Sequence, residues 1–156
     1  MDAREHSEWM REALKEAQKA LEAGDVPVGA VVVDGGVVTG RGYNRVEALK
    51  DATAHAEIIA IGAASGARGD WRLDGATLYT TVEPCMMCLG ALFLSRISRV
   101  VFGTCDKRAG SCGGALRLGD VGYMDRGLVV TGGVLARECQ ALLAEFFSKL
   151  RQADKI

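Results

Sequence analysis

Two short segments of this sequence carry side chains that together could hold a metal ion and move protons. The first contains His55 and Glu57, and the second contains Cys85 and Cys88 directly after Pro84. Thiolate sulfur and imidazole nitrogen are donors that zinc prefers. Three protein ligands leave the fourth tetrahedral position open for water, which is typical of catalytic and not of structural zinc sites. We therefore interpret His55, Cys85 and Cys88 as the ligands of one catalytic Zn²⁺ ion.

Glu57 is the residue of these segments that is suited to proton transfer. It follows His55 by two positions, and two such side chains diverge on a helix, so Glu57 is better placed beside the metal-bound water than among the ligands. Bound zinc lowers the pKa of that water to about 7, which makes hydroxide available at neutral pH. We predict that Glu57 takes a proton from the water and delivers protons to a ring nitrogen and a leaving amine.

The Cys-x-x-Cys pair alone would also fit half of a structural zinc finger, or two thiols in the core. A structural site needs a second pair, and the other cysteines, Cys105, Cys112 and Cys139, are dispersed without zinc-finger spacing. His6 has no supporting motif and is interpreted as a packed or surface residue. The complete pattern, H-x-E followed by P-C-x-x-C, is the signature of zinc-dependent nucleobase deaminases.

Length and composition limit the classes of protein to which the chain can belong. With 156 residues, 49% of them hydrophobic and 25% charged, we expect residues 1–156 to form a single domain. No stretch approaches the roughly 20 apolar residues of a membrane helix. The amino terminus lacks the basic head and apolar run of a signal peptide, so we expect a cytoplasmic protein without membrane contact. Five cysteines, an odd number, argue against a disulfide framework.

The overall charge does not indicate a nucleic-acid-binding protein, but one segment departs from the average. The formal net charge is −1, which argues against bulk electrostatic binding to nucleic acid. Residues 96–117 contain five basic residues against one acid, Asp106, a local balance of +4. Such a segment could be a solvated face, the commoner fate of scattered arginine and lysine, or a local RNA-binding patch.

Hydrophobic patterning predicts the elements that position these residues. Spacing of three and four predicts an amphipathic helix over 3–23 that is ended by Gly24. Thr53 is predicted to cap a helix that runs through 54–61 and fades over 62–69, after a polar loop, and Pro84 is predicted to open the helix of the cysteine pair. A closing helix is expected over 137–151, with Leu142, Leu143, Phe146 and Phe147 facing inward. The predicted strands are 26–33, 37–43, 76–82, 100–102 and 128–131, with a Gly-rich, mostly irregular stretch over 103–127.

Strands that alternate with helices predict the α/β class. We expect a three-layer αβα arrangement with a mixed sheet of about five strands and helices on both faces. No repeat, low-complexity tract or linker interrupts the sequence.

Over residues 8–151 the sequence resembles the bacterial tRNA adenosine deaminase family, within the cytidine deaminase-like superfamily. The metal motif is common to the whole superfamily, whereas the Val-Pro-Val-Gly-Ala block at 26–30 and the tail favour this branch. The matching blocks are 25–31, 42–45, 53–58, 78–88, 95–97, 100–103, 132–135, 138–139 and 146–147. The resemblance implies the cytidine deaminase-like fold, a homodimer, and tRNA grooves near the subunit boundary.

The resemblance also implies a reaction and a set of substrate contacts. The wobble adenosine of an arginine tRNA anticodon would be flipped out of its loop and deaminated to inosine, with zinc-activated hydroxide attacking C6 and ammonia leaving. Asn44 would hydrogen-bond the target base, Asp106 would lie near the nucleotide backbone, and Phe147 would lie beside the substrate. The residues that would wall the pocket are Val26, Pro27, Val28 and Val82. By residue type alone, Asn44 could instead end a strand in a turn, and the valines and Phe147 could be core.

Two positions depart from the family, and two other functions stay open. Residues 148–151 are less rich in arginine than the family tail, and Asp125-Arg126 replaces a frequent Asn-His pair. Guanine deaminases share the element at 83–88, so a deaminase of a free nucleobase or nucleoside (guanine, cytosine or an adenine derivative) is the nearest alternative. A non-catalytic zinc-bound subunit that only holds RNA or protein is a second, which the presence of Glu57 disfavours.

Overall fold

The computed structural model describes residues 2–122 and 126–154, and Asp125 lies outside the described residues. The helices in those ranges are α1 (Ala3–Glu22), α2 (Val46–Leu49), α3 (Ala56–Arg68), α4 (Met86–Leu94) and α5 (Ala136–Ala153). The strands are β1 (Gly29–Asp34), β2 (Val37–Tyr43), β3 (Thr77–Val82), β4 (Arg99–Thr104) and β5 (Val129–Thr131), and a short 3-10 turn spans Leu118–Asp120. None of the described helices is long and apolar enough to cross a membrane.

The strands form one mixed sheet in the order β2-β1-β3-β4-β5. β1 pairs antiparallel with β2 and β3, whereas β3, β4 and β5 are parallel. A parallel neighbour requires a crossover, and α4 provides the one between β3 and β4. The carboxyl ends of β3 and β4 therefore meet the amino end of β1 at one edge of the sheet. This is the edge at which open α/β sheets bind ligands.

Alternate side chains of the central strands enter two cores, one on each face of the sheet. Leu78 packs with Leu92 of α4 and with residues of α3 on one face. Its neighbour Tyr79 packs with Cys139 of α5 and with residues of α1 on the other. His6 is buried on that second face, where its Nδ1 lies 3.0 Å from the Tyr79 hydroxyl oxygen, so it is a packed residue. The predicted three-layer αβα arrangement with a five-stranded mixed sheet is confirmed.

Glycines allow β2 and α3 to approach each other closely. A methyl group on Gly40 would overlap the backbone carbonyl oxygen of Ala60, and one on Gly42 would overlap that of Ala56. The alanines of α3 that face this strand are fully buried. Glycine on the strand and alanine on the helix let the two backbones pack closely, and this contact fixes the amino end of α3 at the ligand-binding edge of the sheet.

The helix cap predicted at Thr53 is wrong. The Thr53 hydroxyl and amide donate to Asp51 Oδ1 at 2.7 and 2.8 Å, and His55 is the N-cap residue of α3. The ionised carboxylate of Asp51 is a strong acceptor that closes a local turn, and the helix therefore starts two residues later than expected. α3 then continues to Arg68 without fading.

Two further element boundaries differ from the sequence expectation. The segment 26–28 precedes β1 and is not part of it, because the Val28 amide donates to the Val26 carbonyl at 2.9 Å and bends the chain around Pro27. The predicted polar loop contains the four-residue helix α2. Both oxygens of the buried Asp25 carboxylate accept from amides in its first turn, Glu47 at 2.9 Å and Ala48 at 3.2 Å. This distant acceptor stabilises a helix that its own sequence does not reveal.

Candidate active site

The three predicted metal-binding side chains meet at the amino ends of two helices. His55 and Cys85 are the N-cap residues of α3 and α4, and Cys88 lies in the first turn of α4. His55 Nδ1 is 3.6 Å from Cys85 Sγ and 3.5 Å from Cys88 Sγ. Helices α3 and α4 pack on the same face of the sheet, which brings two segments that lie 30 residues apart into contact.

The spacing of these atoms fits a tetrahedral zinc ion. Zinc binds imidazole nitrogen at about 2.0–2.1 Å and thiolate sulfur at about 2.3 Å, which at a tetrahedral angle separates the nitrogen from each sulfur by about 3.6 Å. The two distances from His55 Nδ1 agree with that value. The ligand atoms of His55, Cys85 and Cys88 all lie within 4.8 Å of one another, and this is the group in the described residues that could hold a metal.

The thiol groups are electronically unequal. A hydrogen bond from Cys88, supported by one from His55, lowers the pKa of Cys85 to about 4 against the opposing effect of burial. The same hydrogen bond, together with burial, raises the pKa of the Cys88 thiol. The hydrogen bond with Cys85 raises the pKa of His55. A metal that takes both sulfurs as thiolates must therefore displace a proton, which couples its affinity to pH.

Glu57 lies in the first turn of α3, two residues after His55, and is 4% exposed. Burial raises the pKa of its carboxyl group, while a hydrogen bond with Cys88 acts in the opposite direction. The carboxyl group lines the same cleft as His55 and Cys85. Burial thus makes this carboxyl group a stronger proton acceptor than an exposed one, which is a property that general acid–base chemistry needs.

A cleft with a volume of about 320 Å³ opens above this cluster. Of the residues predicted to contact substrate, Val26, Val28, Asn44, Val82 and Asp106 line it together with His55, Glu57 and Cys85. The walls come from the segment before β1, the segment that leads into α2, the end of β3 and the loop after β4. The structure thus gathers five predicted contact residues, from four separate parts of the chain, around the candidate metal group.

Asn44 joins two walls of the cleft. Its Nδ2 donates to the Val26 carbonyl at 3.1 Å, and its Oδ1 accepts from the Val46 amide at 3.3 Å. A carboxamide has two donor hydrogens and two acceptor lone pairs. These contacts orient the side chain and leave one donor and one acceptor position for a ligand. Asn44 therefore ends a strand in a turn, as residue type alone allows, and also faces the cleft.

Pro27 and Phe147 are not among the residues that line the cleft. Pro27 is buried, whereas its neighbours Val26 and Val28 face the cavity. Phe147 was expected to face inward but is 42% exposed, with its ring edge-on to Phe146 at 5.3 Å. α5 contacts the sheet through its amino-terminal part around Cys139, so its later turns extend beyond the core that would have covered Phe147.

The basic residues of 96–117 are divided between opposite edges of the sheet. Arg99 begins β4, at the edge away from the cleft, and Arg96 lies just before it with its guanidinium 5.6 Å from the Trp71 ring centroid. Lys107 and Arg108 lie between Asp106 and Ala109, two residues that line the cleft, and both are exposed. In the described ranges these two form no ion pair. Arg117 lines two other cavities. The basic segment is therefore not one surface, and Lys107 and Arg108 are the part of it that adjoins the lining of the cleft.

The cleft is also lined by residues that the sequence did not indicate, namely Asp25, Val46, Glu47, Ala56, Glu83 and Ala109. Asp25 and Glu83 are acids next to apolar strands and both are buried. A carboxylate in such a position needs hydrogen-bond donors, and that requirement is the signal that could have identified them. Val46 and Glu47 reach the cleft through α2, and nothing in their own segment indicates this helix.

Comparison with known proteins decides which family uses this arrangement. Residues 3–104 match the family described as the cytidine and deoxycytidylate deaminase zinc-binding region. The chain is 46% identical over 147 residues to the tRNA-specific adenosine deaminase of Bacillus subtilis, covering 94% of this chain and 91% of that protein. It is 47% identical over 150 residues to the enzyme of that name from Haemophilus influenzae, with 94% and 86% covered. The chain belongs to the tRNA-specific adenosine deaminase family.

Solved structures of related deaminases share its fold. One, from a study of A-to-I editing by tRNA deaminases at the wobble position of transfer RNA, superposes with a TM-score of 0.84 at 40% identity and covers 87% of this chain and 99% of its own. A guanine deaminase from Nitrosomonas europaea gives a TM-score of 0.78 at 28% identity, with 90% and 83% covered. The cytidine deaminase-like fold is confirmed. The cofactor of this deaminase family is zinc, and the chain has a group of side chains that fits it.

Proposed function

We propose that this protein hydrolytically deaminates adenosine to inosine at the wobble position of a tRNA anticodon. The observation that carries the proposal is the cleft itself: Glu57 and two zinc-type donors, His55 and Cys85, line it, and the third donor, the buried Cys88, adjoins them. Relatives named tRNA-specific adenosine deaminase match 94% of the chain at 46–47% identity, and this supports the choice of substrate. We propose His55, Cys85 and Cys88 as the zinc ligands and Glu57 as the catalytic acid–base.

The chemistry divides between the metal and Glu57. Zinc, when bound, would lower the pKa of a water molecule to about 7 and supply the nucleophile for attack at C6 of adenine. The Glu57 carboxylate would accept a proton from the attacking water and donate to the adjacent ring nitrogen, and a second transfer would let the amino group leave as ammonia. Adenosine and water thereby give inosine and ammonia, with Glu57 returned to its starting state.

The cleft is small for a ligand pocket. Its volume of about 320 Å³ lies at the lower end of the roughly 300–1,000 Å³ that ligand pockets occupy. A base in an RNA loop must therefore leave its stack to enter, at a cost that is smallest for unpaired loop nucleotides. Val26, Val28 and Val82 would contact the faces and edges of the ring. Asn44 would hydrogen-bond it, and Asp106 lies where flanking nucleotides would pass.

A free nucleobase, guanine above all, is the second candidate substrate. It is favoured by the small cleft and by the fold shared with a guanine deaminase at 28% identity. The unpaired Lys107 and Arg108 beside the lining of the cleft favour RNA, because phosphate groups outside the cleft need cationic partners that a free base does not. Identity to the tRNA-specific enzymes is also higher, at 46% and 47%.

A homodimer, a single deaminase domain over 1–156 and a cytoplasmic location complete the proposal. Large apolar side chains are exposed on α4 (Met86 and Leu94) and on β5 (Val129 and Val130), which is where a second copy could bury them. The single sheet that joins all described strands supports one domain. A tRNA substrate supports a cytoplasmic location, and the measured mass in solution tests the dimer.

Incubation of the zinc-loaded protein with anticodon stem-loops tests the proposed reaction. One stem-loop carries adenosine at the wobble position, and a matched one carries it one nucleotide away with the rest of the sequence kept. We expect stoichiometric inosine and ammonia from the first and little from the second. Equal conversion of both, or of neither, would contradict the proposal.

A further inference from the structure

Glu83 is a buried carboxylate that the proposed chemistry does not use. It follows β3, directly precedes Pro84, and is 3% exposed. Its Oε1 accepts from the Asp106 amide at 3.1 Å, and its Oε2 accepts from the amides of Cys112 and Gly114, each at 2.9 Å. No lysine or arginine in residues 2–122 and 126–154 forms an ion pair with it. Backbone amides of one loop, residues 105–115, therefore compensate its charge.

The backbone of this loop, called here the 105–115 loop, is shaped around the carboxylate. A methyl group on Gly110 would overlap the Glu83 carboxylate, and one on Gly114 would overlap the Asp106 carbonyl oxygen and crowd Glu83 Oε1. Neither glycine has a positive φ. Glycine is needed at these two positions because the loop backbone lies too close to Glu83 and to Asp106 to admit a side chain. Glycines at both positions let the loop close around Glu83.

The same loop is attached to the metal-binding segment and forms part of the cleft. The Ser111 amide and hydroxyl both donate to the Pro84 carbonyl, at 2.9 and 2.8 Å, and Gly110 pairs with Cys85 in an antiparallel bridge. Asp106 and Ala109 line the cleft on this side. Glu83 is thus the buried point at which an outer wall of the cleft is fixed to the chain that carries Cys85.

We propose that Glu83 is a positioning residue for substrate binding, which deepens the proposed function and rests on it. By holding three amides of the 105–115 loop, it presents Asp106 and the adjacent cationic pair to the nucleotides that flank the target base. A wall that is ordered before binding lowers the entropy cost of association. Loss of the anchor therefore weakens binding of RNA and leaves proton transfer by Glu57 in place.

Glu83→Gln tests the proposal, because it keeps the size of the side chain but turns one acceptor oxygen into an NH₂ group that cannot accept. The lost oxygen is the acceptor either of the Asp106 amide or of the Cys112 and Gly114 amides, and we expect the amides that lose it to exchange hydrogen roughly tenfold faster or more. In the wobble-adenosine stem-loop assay we expect KM to rise by about tenfold while kcat changes by less than about threefold. Zinc content should equal that of the wild type.

Gly114→Ala disturbs the contact between the loop and the Glu83 carboxylate from the loop side and leaves residues 83–85 unaltered. It therefore tests the proposal if Glu83→Gln fails to fold or loses zinc. Gly119→Ala is its matched control, because a methyl group there meets nothing within 4 Å. We expect Gly114→Ala to raise KM and Gly119→Ala to leave it unchanged. Wild-type exchange and KM in Gly114→Ala, or a fall in kcat with constant KM in Glu83→Gln, would overturn the proposal. A wild-type protein that is inactive on RNA would refute the proposed function instead, and the exchange rates would still test the loop anchor.

Discussion

At the scale of residues, the cluster combines three donors that could hold a metal ion with one carboxyl group that is not among them. His55, Cys85 and Cys88 are close enough to share one tetrahedral ion. Glu57 stands beside them, and its pKa is raised by burial. We therefore expect a variant without the Glu57 carboxyl group to keep zinc and lose turnover. A variant without one of the cysteine sulfurs should lose both zinc and turnover.

Replacement of Glu57 by glutamine keeps the volume of the side chain and removes its ability to exchange a proton. We expect zinc content and fold to be retained and kcat on the wobble-adenosine stem-loop to fall by at least about 10²–10⁴-fold, the contribution of a general acid–base. Rapid-quench kinetics and metal analysis of the same preparation measure both quantities. Turnover within a few-fold of wild type would refute the role of Glu57.

Replacement of Cys88 by alanine tests the metal group directly. We expect this variant to lose stoichiometric zinc and all activity, because two remaining ligands do not satisfy a tetrahedral site. Cys105→Ala is the matched control, since Cys105 is exposed and outside the group that could hold a metal. Zinc content is measured by mass spectrometry after dialysis. Full zinc occupancy in Cys88→Ala would show that the metal is held elsewhere.

Residues that belong to a recognisable motif could be predicted, and buried acids that hold distant backbone amides could not. His55 with Glu57, and Cys85 with Cys88, form short patterns whose chemistry follows from their spacing. Asp25 depends on amides of α2 that lie 22 and 23 residues later, and Glu83 on amides 23 to 31 residues later. Spacing within one segment carries no information on such pairs. The sequence therefore indicated the metal group and much of the pocket lining, but not what holds the walls in place.

At the scale of elements, every predicted strand and long helix is present, because its apolar periodicity reflects burial on one or both faces, although the first strand begins at Gly29 and not at Val26. Two other errors, the start of α3 and the missed helix α2, each depend on a single acid. Asp51 engages Thr53 and moves the start of α3 to Ala56, and Asp25 stabilises α2. Both changes affect the site, since one makes His55 an N-cap residue and the other brings Val46 to the cleft.

The close approach of β2 to α3 predicts opposite effects for two glycine replacements. Gly40→Ala forces a methyl group into the backbone of α3 at Ala60 and Ala64, and we expect it to lower the free energy of unfolding by about 1–3 kcal/mol. Gly62→Ala, on the exposed side of α3, meets nothing within 4 Å. We expect it to raise stability by up to about 1 kcal/mol through helix propensity. Urea unfolding of the zinc-loaded proteins measures both, and shifts of the same sign would contradict this packing.

At the scale of the whole molecule, the charge is nearly balanced, with a formal net charge of −1. Recognition of RNA must therefore depend on a local surface and on the shape of the cleft. The segment 96–117 suggested one basic patch, but a strand divides it between two edges of the sheet, which composition alone could not reveal. Of the basic residues in this segment, Lys107 and Arg108 lie next to residues that line the cleft, so these two are the candidates for contact with RNA.

The dependence of stem-loop binding on salt measures how many phosphates these side chains contact. For single-stranded RNA each contact contributes a slope of about −0.7 in log K against log salt concentration. We expect Lys107→Ala combined with Arg108→Ala to make the slope shallower by about 1.4. Arg11→Ala, on the exposed side of α1, is the control and should leave it unchanged. A slope that is the same in all three proteins would exclude the pair from RNA binding.

The choice between an RNA substrate and a free base is tested most directly by one comparison of catalytic efficiency. The zinc-loaded protein is given the wobble-adenosine stem-loop and, in parallel, guanine, cytosine, adenosine and cytidine, with ammonia release as the common readout. We predict that kcat/KM for the stem-loop exceeds that for every free compound by at least about 10³-fold, because contacts outside the cleft contribute to transition-state binding. Ammonia release from a free base or nucleoside but not from the stem-loop would contradict the account.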